Sequence, residues 1–442
     1  MCPVHKHTDS TLWPEGPLIG VCSANILPDQ DMGQGVIKML SVGIDTHLEM
    51  HQVEVLNEEE KVMWRGQIGN NRKGFEELLE KLSTIEKSND QQFVGVYINP
   101  TGCYHVPLSH FLQQKGYKVI AVDPRRSAAG RKMENLGRVK SDRVDAYILA
   151  SLPWRNRKFR ETSTHEREPL SELTRERKSM EGSKTRVVNA IHSDLAAVFP
   201  EYRTLFDDIA TKTSLAVLRR YTLPANISNA SADELADVIT KASRNHSGKV
   251  TATKLRERAL STVGIQDTNG IYLFKMRENA KLLEQLLSII SELDDKIKEL
   301  SAGDMRVEHL DEMKGIDTVT AASIVSEIGP IKQFDSAGKL KAYGGKAPDM
   351  NGSGGKERGK RVTKIRNSYL ASTIYIASRS LVAHGSPEFK AVFNREISKG
   401  KHRKKAYTAV GNRLLDSIYS MLKNGKPYRE RIPAKHRVHD FP

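Results

Sequence analysis

The sequence predicts an α/β domain followed by a mainly helical region, within a chain of 442 residues. Residues 39–155 alternate short apolar runs with turn residues and amphipathic segments, the order typical of strands and helices in a mixed sheet. After Trp154 the chain becomes polar, and its apolar residues recur at helical spacing. The length is enough for two or three domains that each bury a core.

Three closely spaced strands open the α/β domain. The first ends at Asp45, the second covers residues 52–56 and the third residues 62–68, and connections this short predict antiparallel hairpins. The elements that follow are predicted, in order, as a helix over 73–82, a buried strand over 93–98, a helix ending near 114, a strand over 118–122 and a helix from 142. This order is that of a ribonuclease-H-like fold.

The helical region is predicted to contain two long helices, over residues 169–199 and 251–301, with mixed helices and turns between residues 200 and 250. In the second long helix, apolar residues recur at alternating spacings of three and four. This spacing is typical of a coiled-coil seam, and it also suits the core of a plain helix bundle. The seam residues are Leu286, Ile289 or Ile290, Leu293, Ile297 and Leu300.

The C-terminal part begins near Val307. A glycine turn at Gly315, followed by a helix of small residues, looks like a helix-hairpin-helix element, which presents backbone N–H groups to a phosphate. Two further helices are predicted over residues 367–383 and 404–423. The predicted domains are an extension over 1–38 expected to be disordered, the α/β domain over 39–155, a helical coiled-coil region over 156–305, a mainly α domain over 306–430 and a tail over 431–442.

The chain is strongly basic. It has 69 Lys and Arg residues against 54 Asp and Glu, a formal net charge of +15, which indicates a polyanion such as DNA or RNA as partner. No apolar run approaches the ~20 residues of a membrane-spanning helix, so no membrane partner is expected. The three scattered cysteines indicate a reducing, cytoplasmic compartment. Cys2, His5 and His7 have no second ligand pair at zinc spacing and are interpreted as incidental.

Four polar residues form a candidate metal centre: Asp45, Asn99, Asp142 and Asp145. Asp45 and Asn99 end predicted strands, and the two other acids share one face of a helix at the spacing i, i+3. Enzymes that cut phosphodiesters with metal ions need carboxylates that converge from distant elements. The alternative is structural, with Asp142 as a helix cap and Asp145 in the first turn. Asn99 stands where the fold would place a fourth acid, and its amide adds no charge.

A glycine-rich loop holds the second candidate site, Ser353. Glycines on both sides let the backbone approach a ligand closely, and the basic run that follows would hold a phosphate and stabilise a developing negative charge. A serine hydroxyl is a weak nucleophile without such help. The alternative is a structural turn beside a solvated basic face. The predicted nucleic-acid-binding residues are Arg125, Arg126, Lys140, Arg143, Lys356, Arg358, Lys360, Arg361 and Lys364.

Residues 41 to about 430 resemble the DEDD-type transposases of bacterial insertion sequences. These are the bridge-RNA-guided recombinases of the "one-ten" family, which have pilin-inversion DNA invertases as relatives. Each motif is modest, but their order and spacing together are specific. The motifs are Val42-Gly43-Ile44-Asp45, Pro100-Thr101-Gly102-Cys103-Tyr104, Lys140-Ser141-Asp142-Arg143-Val144-Asp145-Ala146, Gly315-Ile316-Asp317, Ala342-Tyr343-Gly344-Gly345, Ser353-Gly354 and the run from Lys401 to Lys423.

The resemblance implies a RuvC-like N-terminal domain that binds Mg²⁺ and a C-terminal transposase domain that attacks DNA. The metal would be held by Asp45, Asp142 and Asp145, and Ser353 would form a covalent 5′-phosphoserine link. The implied partners are donor and target DNA, a structured bridge RNA and further copies of the chain. In that dimer or tetramer, which would act at the nucleoid, the acidic site of one protomer meets the serine of another. Asn99 departs from the family, which carries Glu at this position.

Three functions remain open on the sequence. The first is an active or weakened recombinase that cuts and rejoins DNA through the serine. The second is a catalytically silent nucleic-acid-binding derivative, because Asn99 replaces the family's acid. The third is a metal-dependent Holliday-junction nuclease that forms no covalent intermediate.

Overall fold

The computed structural model of the chain describes residues 39–89, 91–100, 102–133, 141–156, 169–243, 248–346, 352–353, 356–357, 366–384 and 387–430. The chain divides into two compact units, residues 1–165 and 166–442. The predicted extension over 1–38 and tail over 431–442 lie outside the described residues. The predicted helical region over 156–305 and C-terminal domain over 306–430 fall almost entirely in the second unit, and the boundary between them stays a prediction.

The first unit is built on one five-stranded mixed sheet with the strand order β3-β2-β1-β4-β5. The pairs β1–β2 and β2–β3 are antiparallel, whereas β1–β4 and β4–β5 are parallel. The predicted mixed α/β domain, with its three opening antiparallel strands, is therefore confirmed. The strands are β1 Met39–Asp45, β2 Met50–Asn57, β3 Val62–Gly69, β4 Gln92–Asn99 and β5 Val119–Ala121.

Helices cover both faces of this sheet. The helices are α1 Arg72–Asn89, α2 Val106–Gln114, α3 Pro124–Met133 and α4 Asp142–Arg155. One core joins the apolar side chains of β1 and β2 to α1 and α2, including Leu78 and Leu108. A second, smaller core joins Tyr97 and Ile120 of the sheet to Leu149 of α4. The sequence analysis missed α3, because its polar residues have no apolar period for a helix pattern to detect.

The second unit is predominantly helical, as predicted. Its helices are α5 Pro169–Val198, α6 Lys212–Arg220, α7 Pro224–Asn229, α8 Ala232–Ser243, α9 Gly248–Leu260, α10 Ile271–Ser301, α11 Met305–Asp311, α12 Thr318–Ile328, α13 Ala337–Tyr343, α14 Ser368–Ala383, α15 Pro387–Ser398 and α16 Arg403–Asn424. The helices predicted over 169–199, 367–383 and 404–423 are confirmed by α5, α14 and α16. No helix among the described residues is long and apolar enough to cross a membrane.

The prediction of a single helix over residues 251–301 is wrong. The chain leaves the helix after Leu260 and starts a new one at Ile271. At Gly264 a Cβ atom would lie 2.0 Å from the carbonyl oxygen of Val198, so the backbone passes close to α5 there. Gly270 then adopts a left-handed φ of 72° immediately before α10, a conformation that favours glycine. Packing and turn geometry therefore override the helical propensity of this stretch.

The sequence analysis also missed α15. Its signal was present, because Phe389, Val392 and Phe393 recur at the spacing of one helix face. Phe389 is fully buried and the two others pack against the same core. The helix is short and rich in polar residues, which weakens this pattern.

Helices α5 and α10 lie side by side and antiparallel. Arg177 near the start of α5 pairs with Asp294 near the end of α10, and Lys275 at the start of α10 pairs with Asp194 at the end of α5. Of the predicted seam residues on α10, Leu286, Ile290 and Ile297 are buried within the chain, whereas Ile289 and Leu300 are exposed. The buried residues thus belong to the core of a helix bundle, and the exposed ones lie on another face of α10.

Candidate functional site

The ends of two neighbouring parallel strands bring the first candidate residues together. Asp45 and Asn99 are register partners on β1 and β4, and the carboxyl ends of parallel strands meet at the same edge of a sheet. Nδ2 of Asn99 donates to Oδ1 of Asp45 at 3.1 Å. The hydroxyl of Thr46 donates to the backbone oxygen of Asn99 at 2.8 Å, which ties the two strand ends together. The structure therefore places Asp45 and Asn99 in direct contact.

Helix α4 carries the other two predicted acids to this edge. Its N-cap is Ser141, whose hydroxyl accepts from the N–H of Val144 at 3.3 Å. The alternative prediction that Asp142 caps this helix is therefore wrong, because Ser141 is the N-cap and Asp142 is the first residue of α4. Asp142 is exposed, whereas Asp145, one turn further, is buried.

Gly43 determines how closely α4 approaches the sheet. A Cβ atom on Gly43 would lie 2.0 Å from the carbonyl oxygen of Ala146 and 2.4 Å from the backbone nitrogen of Ala150. The absence of a side chain lets the helix backbone rest directly on β1. Ser41 fixes the contact, because its hydroxyl donates to the carbonyl of Ala150 at 2.6 Å and accepts from the indole of Trp154 at 2.7 Å. This close approach positions the acids of α4 beside Asp45.

A histidine joins the acids. Nε2 of His47 lies 3.3 Å from Oδ2 of Asp45 and 3.3 Å from Oδ2 of Asp142. Among the described residues, these three form the group whose ligand atoms all lie within 4.8 Å of one another. The sequence analysis did not single out His47. Its signal was its place two residues after the acid that ends β1, in the loop at the same sheet edge.

Negative charges lie close together at this site. Burial raises the pKa of the Asp45 carboxyl; the hydrogen bond from Asn99 and the nearby His47 oppose that rise, and the charges of Asp145 and Asp142 add to it. Oδ1 of Asn99 is buried and has no hydrogen-bond partner within the described part of the chain. An unpartnered buried acceptor beside converging carboxylates is a suitable environment for a hard divalent cation. The residues present therefore fit a metal ion, with oxygen donors from Asp45, Asp142 and Asn99.

The predicted basic residues of the first unit divide into three cases. Arg143, on α4, is exposed and lies 3.8 Å from the carboxylate of Glu54. Glu54 is fully buried on β2, and burial raises its pKa against the opposing effect of its ion pair with Arg65. Arg125 and Arg126 lie on α3, where the structure describes the backbone. Lys140 lies outside the described residues.

The second candidate site, around Ser353, is described in its backbone alone. Two short strands, β6 Gly352–Ser353 and β7 Lys356–Glu357, pair antiparallel with Ser353 opposite Lys356. The sequence analysis expected a glycine loop here and did not predict this pairing. The side chains of Ser353 and Lys356 are not described, and Arg358, Lys360, Arg361 and Lys364 lie outside the described residues.

Both ends of the segment that carries Ser353 are held together. We call residues 347–365 the serine segment; α13 precedes it and α14 follows it. The N–H of Asn367 donates to the carbonyl of Tyr343 at 2.8 Å. The Asn367 side chain also caps α14, accepting from the N–H groups of Tyr369 and Leu370 at 2.9 and 3.0 Å. One residue thus closes the base of the serine segment and starts the next helix.

A polar cluster around the buried carboxylate of Glu327 supports this closure. Glu327 on α12, whose side chain is 3% exposed, accepts two hydrogen bonds from Arg175 on α5 at 2.6 and 2.8 Å. It also accepts from Nδ2 of Asn367 at 2.6 Å, and the same amide contacts the hydroxyl of Tyr343 at 2.9 Å. We call Arg175, Glu327, Tyr343 and Asn367 the loop clasp. The sequence analysis missed it, since no local pattern joins residues so far apart in the chain.

The predicted helix-hairpin-helix turn lies between α11 and α12. Gly315 has the left-handed φ of 104° that a tight glycine turn requires. The expectation that this turn offers free N–H groups to a phosphate is wrong at two positions, however. The N–H of Ile316 donates to the carbonyl of Met313 at 2.8 Å, and that of Thr320 donates to the carboxylate of Asp317 at 2.7 Å. The Asp317 side chain caps α12, so a negative charge occupies the place expected for the phosphate.

Two family models match the chain. One describes the DEDD-type transposase of IS110 and matches residues 42–200, which include Asp45, Asn99, Asp142 and Asp145. The other describes the transposase of the IS116/IS110/IS902 family and matches residues 307–394, which include Ser353 and most of the loop clasp. Each match therefore covers one of the two candidate sites.

Individual relatives cover most of the same length. The chain is 22% identical over 405 residues to an uncharacterized 44.8 kDa protein of insertion element IS116 from Streptomyces clavuligerus, covering 89% of this chain and 97% of that protein. It is 21% identical to an uncharacterized 42 kDa protein of insertion element IS900 from Mycobacterium paratuberculosis, covering 87% and 96%. A shorter match, 22% identical over 142 residues and covering 32% and 39%, is to the transposase for insertion sequence element IS1111A from Coxiella burnetii.

The order of the two family models follows the order of the two units. The first model covers the acidic edge and extends past the α/β unit to residue 200, and the second covers residues 307–394 of the helical unit, which include the serine segment. The predicted resemblance is confirmed, and this chain belongs to the IS116/IS110/IS902 family of transposases, enzymes that cut and rejoin DNA.

Proposed function

We propose that this transposase breaks and rejoins DNA through a covalent bond between Ser353 and a DNA 5′-phosphate, assisted by a Mg²⁺ centre on Asp45, Asp142 and Asp145. The observation that carries the proposal is the convergence of Asp45 and Asp142, from a strand end and a helix start, on one point at the sheet edge. Structural acids are usually paired with a cation of their own. These acids instead face each other across a single imidazole, as ligands of a cation would.

The proposed reaction proceeds in two displacements at phosphorus. Oγ of Ser353 gives up its proton as it bonds to the phosphorus, the bond from phosphorus to O3′ breaks, and the departing O3′ takes up a proton to become a hydroxyl. In the second displacement a 3′-hydroxyl of another strand loses its proton as it bonds to the phosphorus, the bond from phosphorus to Oγ breaks, and Oγ takes up a proton to restore the serine hydroxyl. Bond number and charge balance in each step, so no external energy source is required. Splitting strand transfer in this way yields two steps of similar difficulty.

In this proposal the acidic centre binds and orients the scissile phosphate. A bound Mg²⁺ would supply Lewis-acid stabilisation of charge on a phosphate oxygen. Asp45, Asp142 and Asp145 would hold the ion, and the charge of buried Asp145 already acts on the carboxyl of Asp45. Asn99 holds Oδ1 of Asp45 in place through its amide, so one carboxylate oxygen of Asp45 is already positioned.

The proposed partners are donor DNA, target DNA and a structured bridge RNA, with the protein acting in the cytoplasm at the nucleoid. The net charge of +15 supports polyanion binding in general. Family membership supports DNA as substrate. In such systems base pairing with an RNA reads the sequence, so the protein would need mainly backbone contacts from its basic residues.

We also propose that the active species is a dimer or tetramer. Exposed apolar residues follow one line along α10 at separations of eleven, seven and eleven residues, which brings each back to nearly the same side of a helix. They are Ile271, Leu282, Ile289 and Leu300, exposed by 54, 44, 41 and 48%. A stripe of this kind on a 31-residue helix supports helix pairing between two copies of the chain.

A second candidate function follows from Asn99. Because Asn99 donates a hydrogen bond to Asp45, the acidic edge satisfies one carboxylate oxygen without a metal and has one charge fewer than the family's site. Weaker metal binding would make this chain a slow enzyme or a silent nucleic-acid-binding derivative. The two candidates differ in one measurable property, the formation of a covalent protein–DNA adduct.

The test is to incubate the purified chain with element-end DNA, bridge RNA and MgCl₂, and to look for adducts on denaturing gels. We expect adducts with the wild type and with the control Ser398→Ala, whose serine is exposed at the end of α15, and none with Ser353→Ala. Cleavage that persists in Ser353→Ala without adducts would establish the junction nuclease instead. Adducts that form only after Asn99→Glu would establish the silent derivative, with Asn99 as the cause.

A further inference from the structure

We infer that His47 is a ligand of the metal centre and supplies a metal-binding atom in place of the carboxylate that Asn99 replaces. The centre therefore prefers Mn²⁺ to Mg²⁺. This inference rests on the metal centre of the proposed function. It goes beyond that centre by naming a ligand outside its acidic set and the class of ion that the ligand selects.

The geometry points to a shared ion rather than a simple hydrogen bond. Nε2 of His47 is equidistant, at 3.3 Å, from carboxylate oxygens of Asp45 and Asp142. A ring nitrogen carries at most one hydrogen, so it can donate a linear hydrogen bond to only one of these two oxygens. A single divalent ion satisfies all three atoms at once. Ligand atoms on adjacent positions of an ion with bonds of about 2.1 Å lie roughly 3 Å apart, close to the spacing observed.

The surroundings of His47 favour the same role. Its backbone N–H donates to Nδ1 of His51 at 3.2 Å, and His51 is buried, so the loop that presents the His47 ring is anchored. The His47 side chain is 45% exposed and that of Asp142 58%, whereas that of Asp45 is 5% exposed. An ion can therefore enter from solvent and bind between a buried and an exposed carboxylate.

Asn99 explains why a further ligand is needed. Its Nδ2 is directed at Asp45, and its Oδ1 is the neutral oxygen it can offer to an ion. A neutral amide adds no charge, so the centre has lost affinity for a hard cation. Imidazole restores affinity selectively, because nitrogen ligands favour transition-metal ions, whereas oxygen ligands suit Mg²⁺ and Mn²⁺ alike. A mixed set of Asp, Asp and His shifts the balance from Mg²⁺ towards Mn²⁺.

The test is isothermal titration of the metal-stripped full chain with MnCl₂ and, separately, with MgCl₂. We expect the wild type to bind Mn²⁺ more tightly, and His47→Ala to reduce the ratio of Mn²⁺ to Mg²⁺ affinity about tenfold or more. His110→Ala, at an exposed histidine on α2, is the matched control and should leave the ratio unchanged. His47→Asn keeps a polar side chain and serves as second variant if alanine disturbs the far-UV circular dichroism spectrum.

Pulsed electron paramagnetic resonance of the bound Mn²⁺ gives a readout independent of affinity. A directly bound nitrogen should modulate the echo in the wild type and in His110→Ala, and the modulation should be lost in both His47 variants. Equal Mn²⁺ affinity in wild type and His47→Ala, or modulation that persists without His47, would overturn the inference and leave the acidic centre intact. Binding of neither ion to the wild type would overturn the metal centre itself, which separates the two failures.

Discussion

The acidic edge of the first unit and the loop clasp of the second are both small polar clusters, but they are built in opposite ways. At the acidic edge, sheet register and a helix start bring like charges together, and a buried amide oxygen of Asn99 has no hydrogen-bond partner within the described part of the chain. In the clasp, the buried charge of Glu327 meets the guanidinium of Arg175 and the amide of Asn367 at hydrogen-bonding distance.

This difference separates a binding role from a structural one. A cluster in which several carboxylates face one another gains by taking up a cation, whereas a buried carboxylate that already has an ion-pair partner and hydrogen bonds gains nothing and instead holds the fold in one arrangement. We therefore expect changes in the clasp to reduce the stability of the second unit. Changes at the acidic edge should instead act on ligand binding, unless they alter the backbone that brings the charges together.

The largest effect is expected for Glu327→Ala, which breaks the clasp. Removing the carboxylate leaves the partly buried guanidinium of Arg175 without its ion-pair partner, and loss of one partner of a buried pair costs about 3–5 kcal/mol. Urea unfolding followed by circular dichroism measures the change. Glu299→Ala removes an exposed carboxylate paired with Lys296 and should cost less than about 0.5 kcal/mol. A loss below about 1 kcal/mol for Glu327→Ala would show that the clasp does not stabilise the unit.

A smaller effect on stability, with a larger effect on the site, is expected for Gly43→Ala. The added Cβ would overlap the backbone of Ala146 and Ala150, so α4 must move away from β1. Overpacking of this kind typically costs about 1–3 kcal/mol, and the shift separates Asp142 from Asp45. We expect Mn²⁺ binding, measured by titration calorimetry, to weaken at least about tenfold while the chain stays folded.

Gly182→Ala provides the matched control for Gly43. Gly182 is exposed within α5, and an added Cβ there would meet no described atom within 4 Å. Alanine should stabilise the helix by about 0.5–1 kcal/mol and leave metal binding unchanged. If Gly43→Ala binds Mn²⁺ as well as Gly182→Ala does, the close approach of α4 does not position the acids.

The same contrast explains how much the sequence could predict. Asp45, Asn99 and Asp142 were identified because strand ends and helix starts are local signals, and sheet register then brings them together. The clasp gave no such signal, since Arg175 and Glu327 are 152 residues apart and each alone resembles an ordinary helix-surface charge. The break in the predicted helix over 251–301 depends on a contact of Gly264 with α5, which periodicity does not encode.

The smallest effect is expected for Lys346→Met, which tests whether this half-buried charge of the second unit stabilises the fold, as the loop clasp does, or is kept for a ligand. Lys346 is the last described residue before the serine segment. Burial, and to a smaller extent the positive charge of Arg366, lowers the pKa of its ammonium group to about 8. A half-buried cation beside a second positive charge, at the base of the segment that carries Ser353, is the arrangement expected of a group that binds a phosphate. If so, the base of the serine segment resembles the acidic edge more than it resembles the clasp beside it.

The lowered pKa of Lys346 determines how the stability of the wild type changes with pH. Below pH 8 the lysine is charged in both states, and the folded state bears the full cost of burying it. Between pH 8 and its usual value near 10.5, the unfolded chain binds the additional proton, so the stability of the wild type rises with pH. Lys346→Met should therefore be more stable than the wild type by about 1 kcal/mol at pH 7, and the difference should shrink towards pH 10.5.

Urea unfolding at a series of pH values measures this difference, with Lys339→Met at an exposed lysine of α13 as control. The control should show no pH-dependent gain. If Lys346→Met is more stable but binds DNA less tightly, the lysine is kept for its ligand at the expense of folding, as we propose for Asp45 and Asp142. A variant that is less stable than the wild type at pH 7 would instead place Lys346 among the residues that hold the fold.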